Sequence, residues 1–423
     1  MEKFFLPFDT SSPNCLRVMT ITGTFPTLIQ PWLTNQLVQI SRMGGDNRIL
    51  SRGEQIETIP MVIREHELHL KYCCLKDNRA ALATFFVQSL LRPHMIPSLV
   101  LLAKNYPSKH IKLKSRIFDL LASPVFTIKP DIIHSHIETV GYRFLNLIKA
   151  NGAPLVQTFH GLPPIGIPNI TEDQRIEYTK AAKAIFVNTR FAKSQYEEIG
   201  GQSDHYHIVP QGIDLKKWSF QQRDFPQAGP VKLLTVGRLH EEKGHRYVID
   251  AVGALVEQGF DVTYDVVGPG PLAKSLAELI ASRGLTEHIR LHGILIDEEL
   301  KELYRQAHIF ILPSLSSPEG NWEETQGVVL QEAQASGLLT IATRTGGIPE
   351  VIDDGKSGFL VPDRDSEAIK NIIIELINRA NEWPKLQRAG RQWVERNYCS
   401  DKIGAKMNEI YQEIISEAGG KKR

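Results

Sequence analysis

Two basic residues and two glycines follow a short apolar segment and could bind a diphosphate. Val231–Val236 is typical of a buried strand, and after it come Gly237, Arg238, Lys243 and Gly244, ahead of a segment with helical spacing. An arginine fork and a lysine ammonium neutralise phosphate oxygens, and the free N–H groups of a helix N-terminus attract anions. Surface loops carry such charges too, but the order of strand, loop and helix favours a phosphate site.

Two glutamates with seven residues between them could bind hydroxyl groups. Glu324 and Glu332 lie in the segment EETQGVVLQEAQASG. A carboxylate only accepts hydrogen bonds and can hold two hydroxyls at once, as ribose and other sugars present them. We predict a helix that begins near Gly327, so that Glu324 precedes it and faces a cleft while Glu332 lies within it. Taken alone, two acids near a helix N-terminus are more simply explained as surface residues.

Two further predicted strands are followed by residues that could contact a ligand. His160 ends the strand Pro154–Phe159 and could bind a sugar hydroxyl or transfer a proton, although single histidines are often structural. Gly346 and Gly347 follow the strand Leu338–Ala342, and glycine lets backbone N–H groups approach a ligand closely. The same glycine pair could also form a plain turn.

Two patterns resemble metal sites but lack a complete ligand set. Asp363-Arg364-Asp365 has the DxD pattern of metal-binding sugar transferases, but the preceding Gly358–Pro362 is not predicted as a strand, so we interpret it as a turn. His134 and His136 share one face of a strand end, without an evident third ligand. We therefore expect neither a metal ion nor another cofactor.

Length, charge and cysteine content limit the class of protein. The 423 residues exceed the roughly 250–300 residues that a single core supports, so two domains are expected. The net charge of +1 argues against a nucleic-acid partner. Four cysteines without a CxxC pair fit a reducing compartment. No apolar run approaches the ~20 residues of a membrane span, and the N-terminus lacks a signal-peptide run, so we expect a cytoplasmic protein.

The order of predicted elements indicates the α/β class. From residue 231 onward, apolar runs alternate with helical segments, which favours a doubly wound parallel sheet. In the first half, strands are predicted at Leu16–Thr22, Asp131–Ser135, Pro154–Phe159 and Ala184–Asn188, and the stretch from about 60 to 125 is predicted to be helical. The polar segment 216–230 is interpreted as an interdomain linker. The carboxyl ends of both sheets would border one cleft.

One region of the first half has only basic charges. Between Arg79 and Phe118 the charged residues are Arg79, Arg92, Lys104, Lys109, Lys112, Lys114 and Arg116. Apolar runs such as Ser98–Ala103 lie between them. A solvated helical face is the simpler explanation. A peripheral contact with anionic lipid is the alternative, in which each basic residue near the surface would contribute about 1 kcal/mol.

Together these segments resemble the retaining glycosyltransferases of family 4, which have the GT-B fold. The resemblance covers nearly the whole chain and is densest from Val231 to Pro362. The matching segments, in the family's order, are GRLHEEKG, VVGPGP, ILPS, the spaced glutamates, ASG, TGGIPEVI and SGFLVP, with HSH, TFHG and PQGID in the first half. Phe25-Pro26 and the long insert before the glutamates look like the branch that builds colanic acid and other exopolysaccharides.

The resemblance implies an α/β, GT-B architecture of two Rossmann-like doubly wound parallel-sheet domains that face each other across a cleft. Residues 1–215 would form the acceptor-binding domain and residues 228–385 the nucleotide-sugar-binding domain. Residues 386–423 would form helices that cross back toward the first domain. The family's Gly-Gly loop after the first strand is replaced here by Gly23-Thr24-Phe25-Pro26, so its phosphate and acceptor contacts cannot be carried over.

The resemblance also implies a role for each site residue. Arg238 and Lys243 would hold the donor pyrophosphate, and Glu332 would accept from the ribose hydroxyls. Glu324 and His160 would contact the transferred sugar. The implied catalytic residues are His160, Glu324, Arg238 and Lys243, and the implied donor-binding residues are Arg238, Lys243, Glu332, Gly346, Gly347 and Gly237, with no metal. In the insert, Glu319 and Glu323 are rivals of Glu324, since Glu319-Gly320 resembles the family's Glu-Gly pair.

The predicted function is transfer of a hexose from a nucleotide diphosphate sugar to a lipid-linked saccharide, with retention of configuration, in exopolysaccharide or lipopolysaccharide synthesis. The alternatives are a nucleotide-sugar epimerase of the same architecture, a family 4 transferase with a different acceptor, and a non-catalytic binding subunit. The spacing of the glutamates together with TGGIPEVI argues against an epimerase, and the presence of Arg238, Lys243 and Glu332 argues against a binding subunit. The base, the sugar and the acceptor remain open.

Overall fold

The computed structural model describes residues 8, 15–27, 31–55, 59, 61–75, 79–92, 95–107, 112–162, 169–317 and 322–419. These residues form two sheets, one of seven strands and one of six. All strand pairs in both sheets are parallel. Each sheet has a buried apolar cluster on both of its faces, as expected for parallel strands covered by helices.

The first sheet has the strand order β3-β2-β1-β4-β5-β6-β7. Its strands are β1 (Arg17–Thr24), β2 (Asp46–Gly53), β3 (Tyr72–Cys74), β4 (Ile132–Ser135), β5 (Leu155–Phe159), β6 (Ala182–Val187) and β7 (Tyr206–Ile208). Its helices are α1 (Pro31–Arg42), α2 (Met61–Glu65), α3 (Arg79–Leu90), α4 (Ile96–Asn105), α5 (Leu113–Ala122), α6 (Glu138–Arg143), α7 (Leu145–Asn151), α8 (Glu172–Ala181) and α9 (Arg190–Glu198). Short 3₁₀ helices occupy Leu68–Leu70 and Ser123–Thr127.

Three strands of this sheet were not predicted. One of them lies in the stretch from about 60 to 125, which was predicted to be helical. That strand is β3, which is only three residues long. β2 begins with Asp46, Asn47 and Arg48, all buried, so its sequence does not look like an apolar strand. Its charges are satisfied internally, because Arg48 Nη1 lies 2.5 Å from Asp46 Oδ1. The third is the short β7 at the sheet edge.

The second sheet has the strand order β10-β9-β8-β11-β12-β13. Its strands are β8 (Val231–Val236), β9 (Val262–Val267), β10 (Ile289–Gly293), β11 (Ile309–Leu312), β12 (Leu339–Thr343) and β13 (Phe359–Val361). The helices are α10 (His245–Glu257), α11 (Ala273–Ser282), α12 (Asp297–Gln306), α13 (Val328–Ser336), α14 (Ile348–Val351), α15 (Ser366–Asn378), α16 (Trp383–Asn397) and α17 (Ser400–Glu417). Short 3₁₀ helices lie at Glu241–Lys243 and Ala380–Glu382.

The predicted alternation of strands and helices in this half is confirmed, with one correction. β13 lies inside Gly358–Pro362, which was not predicted as a strand. Three residues pair with β12 at the sheet edge, too few to produce a clear apolar pattern. Because β8 lies beside both β9 and β11, the strand order reverses there. In sheets of this kind, ligands bind in the crevice outside the carboxyl ends of the strands at that point.

The last two helices pack on different sheets. α16 contacts α13 and β12, and Val394 joins the apolar cluster of the second sheet. α17 contacts α1, and its Met407 and Tyr411 pack with Val18 of β1. The segment 216–230 is also anchored, because the Arg223 guanidinium is buried and donates to carbonyl oxygens of the second domain.

Candidate active site

The loop after β8 and the segment before α13 meet at the centre of the candidate site. The ammonium of Lys243 forms an ion pair with the carboxylate of Glu324, from a residue 81 positions later. The Ser314 hydroxyl, after β11, donates to Glu324 Oε2 at 3.4 Å. The Trp322 ring lies 4.8 Å from Lys243 Nζ, which is cation–π distance. The structure therefore brings together Lys243, predicted to hold the donor pyrophosphate, and Glu324, predicted to contact the transferred sugar.

Glycines allow this loop to approach its neighbours closely. A Cβ atom on Gly244, where φ is +63°, would lie 2.0 Å from the carbonyl oxygen of Pro313. A Cβ atom on Gly268 would lie 2.0 Å from the carbonyl oxygen of Gly237. Side chains at these positions would push the loops after β8, β9 and β11 apart. At Gly237 itself, a Cβ atom would contact only the Lys243 side chain, at 3.9 Å.

Arg238 lies on the same loop but has a different partner. Its Nη2 atom lies 3.0 Å from Glu242 Oε1, in an ion pair that is half exposed on the arginine side. The Glu242 carboxylate also contacts His240 Nδ1. The carbonyl oxygen of Glu242 accepts from the backbone N–H of Leu315 at 2.8 Å, which ties this loop to the one after β11. Both predicted phosphate-binding cations are therefore paired with carboxylates in this structure.

Glu332 lies inside α13, as predicted, and is buried there. The Tyr304 hydroxyl donates to its carboxylate at 3.4 Å. Burial raises the pKa of Glu332 to about 7, a shift that Lys217 and the Tyr304 hydroxyl reduce. A buried carboxylate with such weak compensation gains from further hydrogen-bond donors, which is what ribose hydroxyls would supply.

The glycine pair after β12 mainly supports the glutamate segment. The backbone N–H of Gly347 donates to the carbonyl oxygen of Glu324 at 2.7 Å. A Cβ atom on Gly346 would lie 2.3 Å from the same carbonyl oxygen. Burial raises the pKa of Glu323, and a hydrogen bond from the backbone N–H of Gly346 to its carboxylate reduces that shift. Of the three glutamates weighed for sugar contact, Glu324 pairs with Lys243, Glu323 is held by Gly346, and Glu319 lies outside the described residues.

His160 lies at the end of β5, with both ring nitrogens bonded to protein groups. Gln211 Nε2 lies 3.1 Å from His160 Nδ1, and His136 Nδ1 lies 3.1 Å from His160 Nε2. Because the Gln211 amide nitrogen can only donate, the proton of His160 lies on Nε2 and is donated to His136. The Trp32 ring covers His160 with 3.8 Å between ring centroids. Burial, with a smaller effect of His136, holds the pKa of His160 well below its usual range.

The two patterns that resemble metal sites have internal partners. His134 Nδ1 bonds the Tyr411 hydroxyl at 2.5 Å, and its Nε2 bonds Thr158 Oγ1 at 2.6 Å. Asp363 accepts from Ser316, and Asp365 caps the N-terminus of α15. Within the described ranges, no cluster of three or more histidine, cysteine, aspartate or glutamate side chains is arranged to hold a metal.

Hydrogen bonds join the two domains around the site. The Glu350 carboxylate accepts from the N–H groups of Arg190 and Phe191 at the N-terminus of α9, at 3.0 and 2.7 Å. The Thr325 hydroxyl donates to the carbonyl oxygen of His160 at 2.9 Å. Gln326 Oε1 accepts from the Gln211 N–H at 2.8 Å. The backbone of His160 is therefore bonded to Thr325, the residue that follows Glu324.

Several residues of this arrangement were not found from the sequence. Trp322 lies in the insert, whose glutamates are the residues that suggest sugar binding from the sequence alone. Gln211 belongs to the PQGID segment, and nothing in that segment indicates a role for its side-chain amide. Trp32 and Glu242 carry no sequence signal of their own, because a tryptophan in a helix or a glutamate in a surface loop is ordinary.

Comparison with known proteins gives consistent matches. The family model "Glycosyl transferases group 1" matches residues 216–393, and the model "Glycosyltransferase Family 4" matches residues 63–217. The amylovoran biosynthesis glycosyltransferase AmsK of Erwinia amylovora is 25% identical over 413 residues, covering 94% of this chain and 100% of that protein. WcaL of Salmonella typhimurium, named as a glycosyltransferase of colanic acid biosynthesis, is 34% identical over 220 residues, covering 52% of this chain and 53% of that protein.

Solved structures share the fold. A glycosyltransferase from Rickettsia africae superimposes with a TM-score of 0.69 at 20% identity, covering 95% of this chain and 99% of that one. Anabaena Alr3699/HepE, solved in complex with UDP and glucose, superimposes with a TM-score of 0.70 at 15% identity, covering 94% and 100%. At these identities the likeness concerns the fold, namely two facing Rossmann-like domains.

Proposed function

Because this chain belongs to glycosyltransferase family 4 and has the GT-B fold, we propose that it transfers a hexose from a nucleotide diphosphate sugar to a saccharide on a lipid carrier, with retention of configuration. The observation that carries this proposal is the Lys243–Glu324 pair in the crevice between β8 and β11. It combines a cation for a diphosphate with a carboxylate for sugar hydroxyls in one contact. A nucleotide sugar contains a diphosphate and a hexose with free hydroxyls, and the bond between them is the one that the reaction breaks.

The donor would bind by exchanging partners with the ion pairs of the site. Its diphosphate would take Lys243 and Arg238 from Glu324 and Glu242, and the freed Glu324 would accept from hydroxyls of the hexose. Glu332 would accept from the ribose, whose hydroxyls would supply donors to a buried carboxylate. Trp322 offers an aromatic face beside Lys243 on which the hexose could stack. Every charged group involved thus has a partner both before and after binding.

The reaction breaks the bond between the anomeric carbon and the diphosphate and forms one to the acceptor oxygen on the same face of the sugar. The acceptor proton passes to the departing phosphate oxygen, so no enzyme nucleophile is required. Lys243 and Arg238 would stabilise the growing charge of the diphosphate, and no divalent cation is needed in this scheme. The neutral His160 would act through the position of its ring and backbone rather than as a base, because its pKa is held low.

Relatives support an acceptor in exopolysaccharide synthesis. The amylovoran enzyme AmsK aligns over its whole length, and the match to WcaL covers about half of that protein. No helix in the described part of the chain is long and apolar enough to cross a bilayer.

The test is an incubation of the purified protein with UDP, GDP and ADP sugars in EDTA, with and without a lipid-linked saccharide. We expect one nucleotide sugar to raise the melting temperature and to give a longer lipid-linked saccharide with the anomeric configuration of the donor. A change of the donor sugar without acceptor would instead indicate an epimerase. Binding without any product would indicate a non-catalytic subunit, and activity lost in EDTA but restored by magnesium would exclude the metal-free scheme.

A further inference from the structure

Three helices of the first domain expose large apolar side chains that the fold leaves uncovered. Nine of the thirteen exposed large apolar side chains in the described part of the chain lie between residues 87 and 120. They are Val87, Leu90, Leu91, Ile96, Val100, Leu101, Leu113, Ile117 and Leu120, and together they define the α3–α5 face. We propose that the α3–α5 face binds the surface of an anionic lipid bilayer.

The exposed residues recur at helical spacing, so each helix presents an apolar stripe. In α3 and just beyond it the stripe is Val87, Leu90 and Leu91; in α4 it is Ile96, Val100 and Leu101; in α5 it is Leu113, Ile117 and Leu120. The opposite sides of α3 and α4 are also occupied, since Leu82 and Leu102 are buried in the core of the domain. These helices are therefore apolar on two sides. Nine exposed large apolar side chains on three successive helices mark an interaction site rather than an ordinary solvated face.

The charges on this face identify the partner. No aspartate or glutamate occurs between Arg79 and Phe118, although the whole chain has nearly equal numbers of acids and bases. The side chains of Lys104, Lys112 and Lys114 are exposed beside the apolar stripes. A bilayer with anionic head groups accepts both features at once, because apolar side chains insert among the acyl chains while lysines contact the head groups. A second copy of the chain fits poorly, because two such faces would bring only like charges together.

A hollow beside the face has the same mixed chemistry. Its volume is about 310 Å³, and it lies between α3, α5 and the end of α6. Its apolar walls include Leu82 and Phe118, and its cations are Lys114 and Arg143. The guanidinium of Arg143 stacks on the Phe118 ring at 3.9 Å. Such a hollow suits one lipid head group, with phosphate near the cations and the first chain carbons against the apolar walls.

This inference does not depend on the chemistry proposed for the cleft. The face contains none of the residues assigned to donor binding, and the two can be tested in one preparation. Binding of nucleotide sugars, measured by the melting temperature, reports on the cleft. Binding to vesicles reports on the face. If one of the two proposals fails its measurement, the other measurement still tests the other proposal.

The experiment is flotation of the full chain with vesicles of pure phosphatidylcholine or of phosphatidylcholine mixed with phosphatidylglycerol. The test variant replaces the most exposed apolar residue of each helix region, Leu91→Ser, Val100→Ser and Leu113→Ser, which are 77%, 63% and 73% exposed. The matched control is Ile294→Ser in the second domain, 65% exposed. A second variant, Lys104→Gln with Lys112→Gln and Lys114→Gln, removes charge without changing the apolar stripes.

The wild type and the Ile294→Ser control should float with the anionic vesicles and much less with the neutral ones. The triple serine variant should lose more than about tenfold in partition, because three apolar anchors are removed. The triple glutamine variant should lose the preference for anionic vesicles and most of the dependence on salt. Equal flotation of the wild type and the serine variant would overturn the proposal. So would absence of flotation, or a dimer in light scattering that the serine variant abolishes.

Discussion

One side of the cleft is lined by charged side chains and the other by neutral ones. On the second domain, Lys243 and Arg238 are each paired with a carboxylate. On the first domain, burial holds the pKa values of His136 and His160 far below the usual range, so these two rings are neutral. We call these two surfaces the charged wall and the neutral wall. Ion pairs can exchange partners when a charged ligand enters, whereas a chain of neutral hydrogen bonds holds a single geometry. We infer that the second domain binds the donor by charge and that the first domain positions a sugar by shape.

The largest effect is expected from removing the central cation of the charged wall. Lys243→Ala should lower the transfer rate about 10²–10³-fold, because a preorganised group that stabilises the leaving diphosphate is lost. Initial rates with the donor found in the nucleotide-sugar panel measure this effect. Lys356→Ala removes an exposed cation paired with Asp353 on the same domain, and it should leave the rate unchanged.

Circular dichroism and the melting temperature should show that the Lys243→Ala protein is folded. If that variant kept more than about a tenth of the wild-type turnover, the charged wall would not be where the diphosphate leaves. An equal loss in the Lys356→Ala control would point instead to the general charge of the domain.

A smaller effect is expected from the buried acid of the charged wall, and it appears in stability. Burial raises the pKa of Glu332 from 4.5 to about 7, so the folded protein binds this proton more tightly than the unfolded chain does. Stability from this group is therefore fully present below about pH 4.5 and is lost as the pH rises toward 7, by roughly 3 kcal/mol. Glu332→Gln removes the titrating group and should remove this loss.

The measurement is calorimetry of the wild type and the Glu332→Gln variant at about pH 5 and about pH 8. The melting temperature of the variant minus that of the wild type should be larger at about pH 8 than at about pH 5. Glu367→Gln is the matched control, since Glu367 is an exposed acid of the same domain paired with Lys370. A difference between variant and wild type that does not change with pH would show that Glu332 is ionised throughout.

The charged wall was largely predictable from the sequence, because its parts follow apolar strands of ordinary length. Gly237, Arg238 and Lys243 come directly after β8, and the helix around Glu332 begins where the pattern places it. What could not be predicted is which group each residue contacts. The pairing of Lys243 with Glu324 joins positions 81 residues apart, and it depends on the loop closure that Gly244 and Gly268 permit.

The neutral wall was less predictable, for two physical reasons. His160 was found through its place at a strand end, but its partners come from three separate elements: His136 after β4, Gln211 before the second domain and Trp32 in α1. In the sheet behind it, β2 was missed because buried polar residues interrupt its apolar pattern. Where buried polar side chains form hydrogen bonds and ion pairs with one another, a core strand has the amino-acid composition that is typical of a loop.

The smallest effect is expected from loosening the neutral wall. His136→Phe removes the acceptor of the His160 N–H and leaves a buried donor unsatisfied, at a cost of about 1–3 kcal/mol. We expect kcat to fall about tenfold with little change in donor KM, because the ring would leave its single geometry while the charged wall is intact. His136→Asn places a carbonyl oxygen near the same position, so it should recover most of kcat.

Tyr411→Phe is the control for this last comparison. It removes the hydroxyl that bonds His134, two residues before His136, without touching His160. It should lower the melting temperature, because α17 loses a buried contact with the first sheet, and it should leave kcat unchanged. If Tyr411→Phe and His136→Phe lowered kcat equally, His136 would act only through the stability of the domain. If His136→Asn failed to recover kcat, an accepted hydrogen bond would not be what holds His160 in place.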